Sequence, residues 1–344
     1  MKQKLTVSTL IDTYNYGHYI EEAIESVLKQ TYPSNLIEII IVDDASTDNT
    51  KEVTQRYQDK IKYFYKQNGG QSSAFNLAFE KASGEIIALL DADDTWLPTK
   101  LEKVCETFEM AKDADVVYHY TNFVNEKGDL TDRFPCFPEE GIMQFNERPL
   151  NSYLQGKVPF AVPTPGISAR RMMLNKIFPL PEEVRIHTDA YLWFILPLYA
   201  RGFALVPEYL ANIRSHRSSH WRARKTVDQI EEKAKIYAVF LDHLEQDLHG
   251  MNANTSLLKN KIHSLIEWSN IVSRYMRGEK LNAIRQAMAY EEVIPSQNRF
   301  RKFLIKSARV LSLVFSYSLP LYLRELYKRS ILNCWICKLK ILLK

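Results

Sequence analysis

A chain of 344 residues, 46% of them hydrophobic and 25% charged, holds enough apolar material for one large core and a further unit, which excludes the disordered and fibrous classes. Its four cysteines, Cys105, Cys136, Cys334 and Cys337, are too few and too scattered for a disulfide framework, and Met1 to Lys4 runs into a strand-like segment without the apolar stretch of a signal peptide, so a cytoplasmic protein is expected. The net charge of +4 conceals an asymmetry, +10 over residues 299–344 against −6 over residues 1–298, so the end of the chain is the part expected to meet an anionic surface.

In chain order, Leu5, Val7, Leu10 and Ile11 predict a first strand that ends in the polar loop Asp12-Thr13-Tyr14-Asn15-Tyr16-Gly17. Ile20, Ala23, Ile24, Val27 and Leu28 recur at helical spacing, and Thr31-Tyr32-Pro33 ends that helix. A second apolar run, Ile37 to Val42, ends in Asp43-Asp44-Ala45-Ser46-Thr47-Asp48, where Ser46 and Asp48 suit a turn and helix start and Asp44 is the candidate for function. Ile61 to Tyr65 predicts a third strand and Ser72 to Ala82 a helix. The turn between them, Asn68-Gly69-Gly70, lacks the Lys-Ser/Thr of a phosphate-binding P-loop.

The run from Ile86 to Leu90 stops in Asp91-Ala92-Asp93-Asp94. A short uninterrupted apolar run of this kind predicts a central parallel strand covered on both faces. Ligands of open α/β sheets gather beyond the carboxyl ends of such strands, and Asp91 and Asp93 repel each other unless a cation lies between them. Their hard oxygen ligands suit Mg²⁺ or Mn²⁺, with water and substrate phosphates completing the shell. The competing structural role is to cap the helix that Pro98 opens, which suits Asp94. That helix carries Leu101, Val104 and Phe108, and Val116 to Tyr120 predicts a fifth strand, so the pattern is a mostly parallel, doubly wound α/β sheet.

Residues 121–170 hold Pro135, Pro138, Pro149, Pro159, Pro163 and Pro165 and read as loops over a site. Asp189 to Arg201 predicts a helix, and Phe203 to Val206 and Leu210 to Arg214 two short strands. From Trp221 the character changes to long helical stretches, giving three expected regions: 1–220, a helical appendage over 221–298, and a basic tail over 299–344. Between Arg309 and Arg324 lie fourteen uncharged residues, short of the ~20 that span a bilayer, so an in-plane anchor on an anionic membrane surface fits better. A basic helix packed on the protein or a partner subunit is the other reading, and no nucleic acid is expected because no reading module accompanies the charge. The lone CxxC of Cys334 and Cys337 has no second ligand pair for zinc.

Four segments, Leu10 to Asn15, Val42 to Asp48, Gly84 to Asp94, and Thr188-Asp189 followed by Tyr209 to His216, together resemble the family 2 glycosyltransferases of GT-A fold over roughly residues 4 to 220. The resemblance implies inverting transfer of a sugar from a nucleotide-diphosphate sugar, UDP-linked, with a divalent metal. By position, Asp44 would hold the base or ribose, Asp12, Thr13, Tyr14 and Asn15 would wall the base, and Asp91 would approach the ribose or metal. Asp93 would coordinate the metal, Asp189 stands in the place of the general base, and Arg214 and His216 match an Arg-x-His element near the diphosphate, with His216 a metal or phosphate contact. Two departures stand out: Asp12 where many members have Pro, and Thr188 where many have Glu before the base. The implied acceptor is a glycan or lipid-linked hydroxyl in cell-surface polysaccharide synthesis, on the inner face of the membrane. The alternative is a non-catalytic nucleotide-sugar-binding scaffold, since a fold alone does not secure activity.

Overall fold

The alternation of short apolar runs with amphipathic stretches folds, in a computed structural model that describes residues 4–134, 162–216 and scattered positions between 231 and 286, into one sheet flanked by helices. In chain order the elements are β1 (Val7–Thr13), α1 (Ile20–Leu28), β2 (Ile37–Asp43), α2 (Thr50–Gln55), β3 (Lys62–Tyr65), α3 (Gln71–Lys81), β4 (Ile86–Asp91), β5 (Thr95–Trp96) and α4 (Lys100–Met110). They continue with β6 (Val116–Val124), β7 (Leu130–Phe134), β8 (Ile167–Arg170), α5 (Arg171–Leu174), α6 (Thr188–Tyr199) and β9 (Phe203–Arg214). Two compact units divide the chain, Met1–Arg224 and Lys225–Lys344. Most of the helices expected over 226–290 and the whole basic tail lie outside the described residues. In the second unit Ser273 and Arg277 both donate to the Glu231 carboxylate. Among the described residues no helix is long and apolar enough to cross a membrane.

The strand order is β3-β2-β1-β4-β8-β6-β9-β5, with β7 paired to β6. Strands β3, β2, β1 and β4 are parallel neighbours, and Val7, Leu10, Ile11, Ile40, Ile41, Ile86, Ile87 and Leu90 are fully buried within them, as the uninterrupted apolar runs demand. Ile20, Ala23, Ile24 and Val27 of α1 cover one face of this core. The sheet is thus mostly parallel and doubly wound, as expected.

Three features differ from the sequence pattern. The fifth strand, β6, does not join β4: the short β8, from the segment expected to be irregular loop, lies antiparallel between them. Only Ser168 and Ala169 pair on both edges, too few to show as a periodic run. The two strands expected over 203–214 are the single β9, whose ladder with β6 steps from Val206 to Tyr209 because Pro207 has no N–H to donate and is left, with Glu208, in an exposed bulge. Asp94 caps no helix. Its Oδ1 accepts the Arg214 backbone N–H at 2.8 Å, while α4 starts six residues further on.

Where α4 begins, a buried polar group braces the sheet from below the strand ends. Lys100 is fully buried, its Nζ 3.0 Å from Ser168 Oγ and 3.5 Å from the centre of the Trp96 ring. Trp96 Nε1 donates to Pro165 O, and buried His119 lies between Pro165 O and Tyr120 O. Burial pushes His119 down to about 3, so its neutral ring carries one N–H for the two carbonyls.

Burial also holds the Lys100 amine well below its ordinary range. The unfolded chain therefore binds one proton more than the folded one between that lowered value and the unfolded pKa, and stability rises with pH across this window, by up to about 1.4 kcal/mol per pH unit. Lys100→Met removes the titrating group. Denaturation midpoints measured from pH 7 to pH 10 are expected to climb more steeply for the wild type than for Lys100→Met; parallel curves would show that the amine stays charged inside the fold.

Candidate active site

The parallel register carries three acidic strand ends to one edge of the sheet, with Asp12 opposite Asp91 and Thr13 opposite Asp43. Above them lies a cavity of about 360 Å³, of the size that small ligands occupy. Its lining includes Asp12, Thr13, Tyr14, Asp44, Asp91, Asp93, Asp189 and Arg214, so eight of the ten residues expected at the site meet there. Asn15 and His216 stand behind the lining.

Asn15 adopts a left-handed backbone (φ 58°), donates its N–H to Ser46 Oγ, and accepts the Thr47 N–H at Oδ1. The loop after β1 is thereby pinned to the loop after β2, which leaves the half-exposed ring of Tyr14 on the cavity wall. Asp43 is structural, accepting from Ser46 N and the Tyr63 hydroxyl, and Asp48 accepts from Gly17 N and Thr50. Asp44 receives Lys66 Nζ (2.9 Å), Gly69 N (2.8 Å) and Gly70 N (2.7 Å). The N–H groups of the Asn68-Gly69-Gly70 turn thus serve a carboxylate of the protein itself. Gly70 takes φ +89°, and a Cβ there would stand 2.6 Å from Arg185 Cα, so glycine is required.

Around β4 the acids are less well neutralised. Burial, then the Asp93 charge, raises Asp12 to about 7; burial, then Asp12, raises Asp91 well above the usual carboxylate range. Asp12 Oδ1 is buried with no hydrogen-bond partner among the described residues. Asp93 Oδ2 lies 2.8 Å from His216 Nε2, and the His216 ring packs against Tyr16 and Tyr19. Arg214, expected near a diphosphate, is buried over the Tyr19 ring. It donates to Asp93 O (3.1 Å), Glu126 O (2.9 Å) and the Glu22 carboxylate, so protein groups hold its guanidinium.

Asp189 lies in the first turn of α6, lines the cavity and is 7% exposed, with Oδ1 accepting the Ala190 N–H at 2.8 Å. Its neighbour Thr188 is fully buried and bonds Ser72 through its hydroxyl (3.0 Å), so the residue that replaces the family's Glu points away from the cavity. Pro163 and Thr164 form a further wall, held through Pro165 O by Trp96 and through Val162 O by Trp193.

The sequence pattern did not single out Tyr16, Lys66, Gln71 or Arg185, and it reached Pro163 and Thr164 only as part of the proline-bearing segment expected over the site. Tyr16, Gln71, Pro163, Thr164 and Arg185 line the cavity, and Lys66 reaches Asp44 from β3. Each is an ordinary loop or strand-end residue whose partner is distant in sequence. The one available signal was the Gly-Gly turn opening α3.

A doubly wound sheet with a cavity over clustered strand-end carboxylates is the architecture of the GT-A fold. The glycosyl transferase family 2 model matches residues 8–178, and an uncharacterised glycosyltransferase of Nostoc sp. is 35% identical over 238 residues, covering 67% of this chain and 71% of its own. The chain belongs to glycosyltransferase family 2. The putative teichuronic acid biosynthesis glycosyltransferase TuaG of Bacillus subtilis is 38% identical over 140 residues, 40% of this chain and 54% of its own. In fold the chain is similar to S. aureus TarS 1–349 in complex with UDP-GlcNAc (TM-score 0.58, 18% identity, 90% of this chain and 82% of that one). It is also similar to the mannosyltransferase PcManGT from Pyrobaculum calidifontis in complex with GDP-Man and Mn²⁺ (TM-score 0.53, 17% identity, 91% and 87%).

Proposed function

We propose that this glycosyltransferase is a metal-dependent, inverting enzyme that moves a sugar from a UDP-linked donor to a hydroxyl of a glycan or lipid-linked acceptor in cell-surface polysaccharide synthesis. The meeting of Asp44, Asp91, Asp93 and Asp189 in one cavity carries this reading. Support for the donor class and pathway comes from TarS, crystallised with UDP-GlcNAc, and from TuaG, named for teichuronic acid synthesis.

The donor set fits a hard divalent cation, Mg²⁺ or Mn²⁺. Burial and the neighbouring carboxylates raise the cost of charge on Asp12 and Asp91, and Asp12 Oδ1 is buried and unsatisfied. Among the described residues no three His, Cys, Asp or Glu side chains converge on one point. Asp93 and Asp91 would therefore hold the ion with water and donor phosphates filling the remaining positions, and His216 orients Asp93 through its 2.8 Å bond. Such an ion supplies the charge that stabilises the departing diphosphate.

The chain's own groups divide the remaining work. Tyr14 offers an aromatic face to the base, and Asp44, fixed by three donors, presents a carboxylate whose position does not shift when a nucleotide enters. Asp189 stands as the single base that takes the acceptor hydroxyl's proton as the anomeric carbon is displaced in line, inverting its configuration. One base suffices because the leaving group departs as a diphosphate and needs no carboxylic acid partner of the glycosidase kind.

Thermal shift against a panel of nucleotide sugars with Mn²⁺ tests the donor class, since a ligand at one hundred times its Kd adds about 2.7 kcal/mol of stability. A UDP-sugar is expected to stabilise most, and metal-dependent hydrolysis of it separates an enzyme from a mere binder. Asp93→Asn is expected to abolish transfer and to weaken donor binding only when metal is present; equal donor affinities across a Mn²⁺ titration would sink the metal assignment. Asp189→Asn is expected to lower turnover by about 10²-fold or more with donor affinity little changed, because the base acts on the acceptor. Normal turnover in this variant would move the base elsewhere.

From charge and apolar content alone, residues 299–344 are proposed to seat the enzyme peripherally on the anionic inner face of the membrane, at up to ~1 kcal/mol per basic residue near the surface. Truncation after Pro295 is expected to stop co-sedimentation with anionic vesicles and to leave donor hydrolysis intact. Equal sedimentation of the truncated and full chains would place the anchor elsewhere.

A further inference from the structure

The cavity walls come from chain segments far apart in sequence, and the first turn of α3 touches most of them. Gly69 N and Gly70 N hold Asp44, while Gln71 N donates to Arg185 O at 2.7 Å in the loop that leads to α6. The Gln71 side chain spans the cavity edge: Nε2 donates to Asp91 Oδ1 at 2.9 Å, and Oε1 accepts the Thr188 backbone N–H at 2.9 Å. Ser72 Oγ lies 3.0 Å from Thr188 Oγ1 beside it. The amide orientation is set by the Thr188 N–H, which can only donate and so takes Oε1, leaving Nε2 for Asp91 Oδ1.

Thr188 N is one of the first-turn N–H groups of α6 that no intrahelical carbonyl can satisfy, and Asp189 is the next residue. We infer that Gln71 is a positioning residue, whose amide fixes the first turn of α6, and so Asp189, at a set distance from the donor carboxylate Asp91. This rests on the reading of Asp189 as the base. Gln71 does what no other uncharged side chain of its length does, because it must donate to one partner while accepting from the other. Methionine fills the same space and does neither; glutamate keeps the acceptor for Thr188 N but sets a second carboxylate against Asp91.

Turnover is measured with the nucleotide sugar selected in the Mn²⁺ screen, alongside donor and Mn²⁺ affinities. Gln71→Met is expected to lower kcat by about tenfold while donor affinity changes by less than about threefold, since it displaces the base and leaves Asp44 and Asp93 untouched. In the Asp189→Asn background the same substitution is expected to cost less than about twofold, because residues that act through one another are not additive. Gln71→Glu is expected to recover most of kcat and to change Mn²⁺ affinity instead. A full tenfold further loss in the Asp189→Asn background overturns the inference, as does an equal kcat loss in Gln71→Met and Gln71→Glu with Mn²⁺ affinity unchanged in both. Wild-type turnover in Asp189→Asn alone removes the base itself and with it the inference, an outcome distinct from the other two.

Discussion

Carboxylates that share one sheet edge repel, and the way each is or is not neutralised organises the rest of this molecule. Asp43, Asp44, Asp48 and Asp94 receive backbone N–H groups, hydroxyls or Lys66, and their acceptors are absorbed into the scaffold. Asp12 and Asp91 sit opposite one another in the β1–β4 ladder, and burial together with neighbouring charge lifts both above the usual range. Groups held so far from their ordinary chemistry in a cleft are where a ligand's charge does most for the protein. Acids of one residue type thus differ in how many donors meet them, and Asp44 and Asp94, though held by donors, line the same cavity as Asp12 and Asp91.

What keeps the cavity open against this repulsion is a set of bonds between side chains and backbone. Asn15 with Ser46 and Thr47 joins the first two loops, Gln71 and Ser72 join α3 to the start of α6, and Trp96 with Trp193 holds the Pro163 wall. Arg214 and His216, brought near the site, are likewise tied at their far ends. Arg214 lies among Asp93, Glu126 and Glu22, and His216 between Asp93 and two tyrosine rings. Side chains tied in this way have their positions set before any ligand enters, which is preorganisation.

Much of this was legible from local pattern. Apolar runs from Ile37 to Val42 and from Ile86 to Leu90 read as covered strands, and acids at their ends then lie at the carboxyl edge, because run length and strand direction are local properties. The loops after β1, β2 and β4 were therefore identifiable as one acidic edge before any contact was known, and the Thr188-Asp189 pair joined them only through the resemblance to family 2 glycosyltransferases. By contrast, the four residues of β8 carry no periodic signal, and Pro207 made one strand read as two.

The sequence by itself determined the covered sheet, its acidic edge and the residue types available there, since those follow from hydrophobic period and from the order of acids along the chain. Only the tertiary structure decided which acids are met by donors. Whether Asp44 or Asp12 is neutralised depends on Lys66, Gly69 and Gly70 reaching one and not the other, and whether Arg214 faces a ligand depends on Glu22 and Glu126. These partners lie 22 to 192 residues away from the groups they engage, and a hydrogen bond, which acts over about 3 Å in space, leaves no mark on sequence spacing.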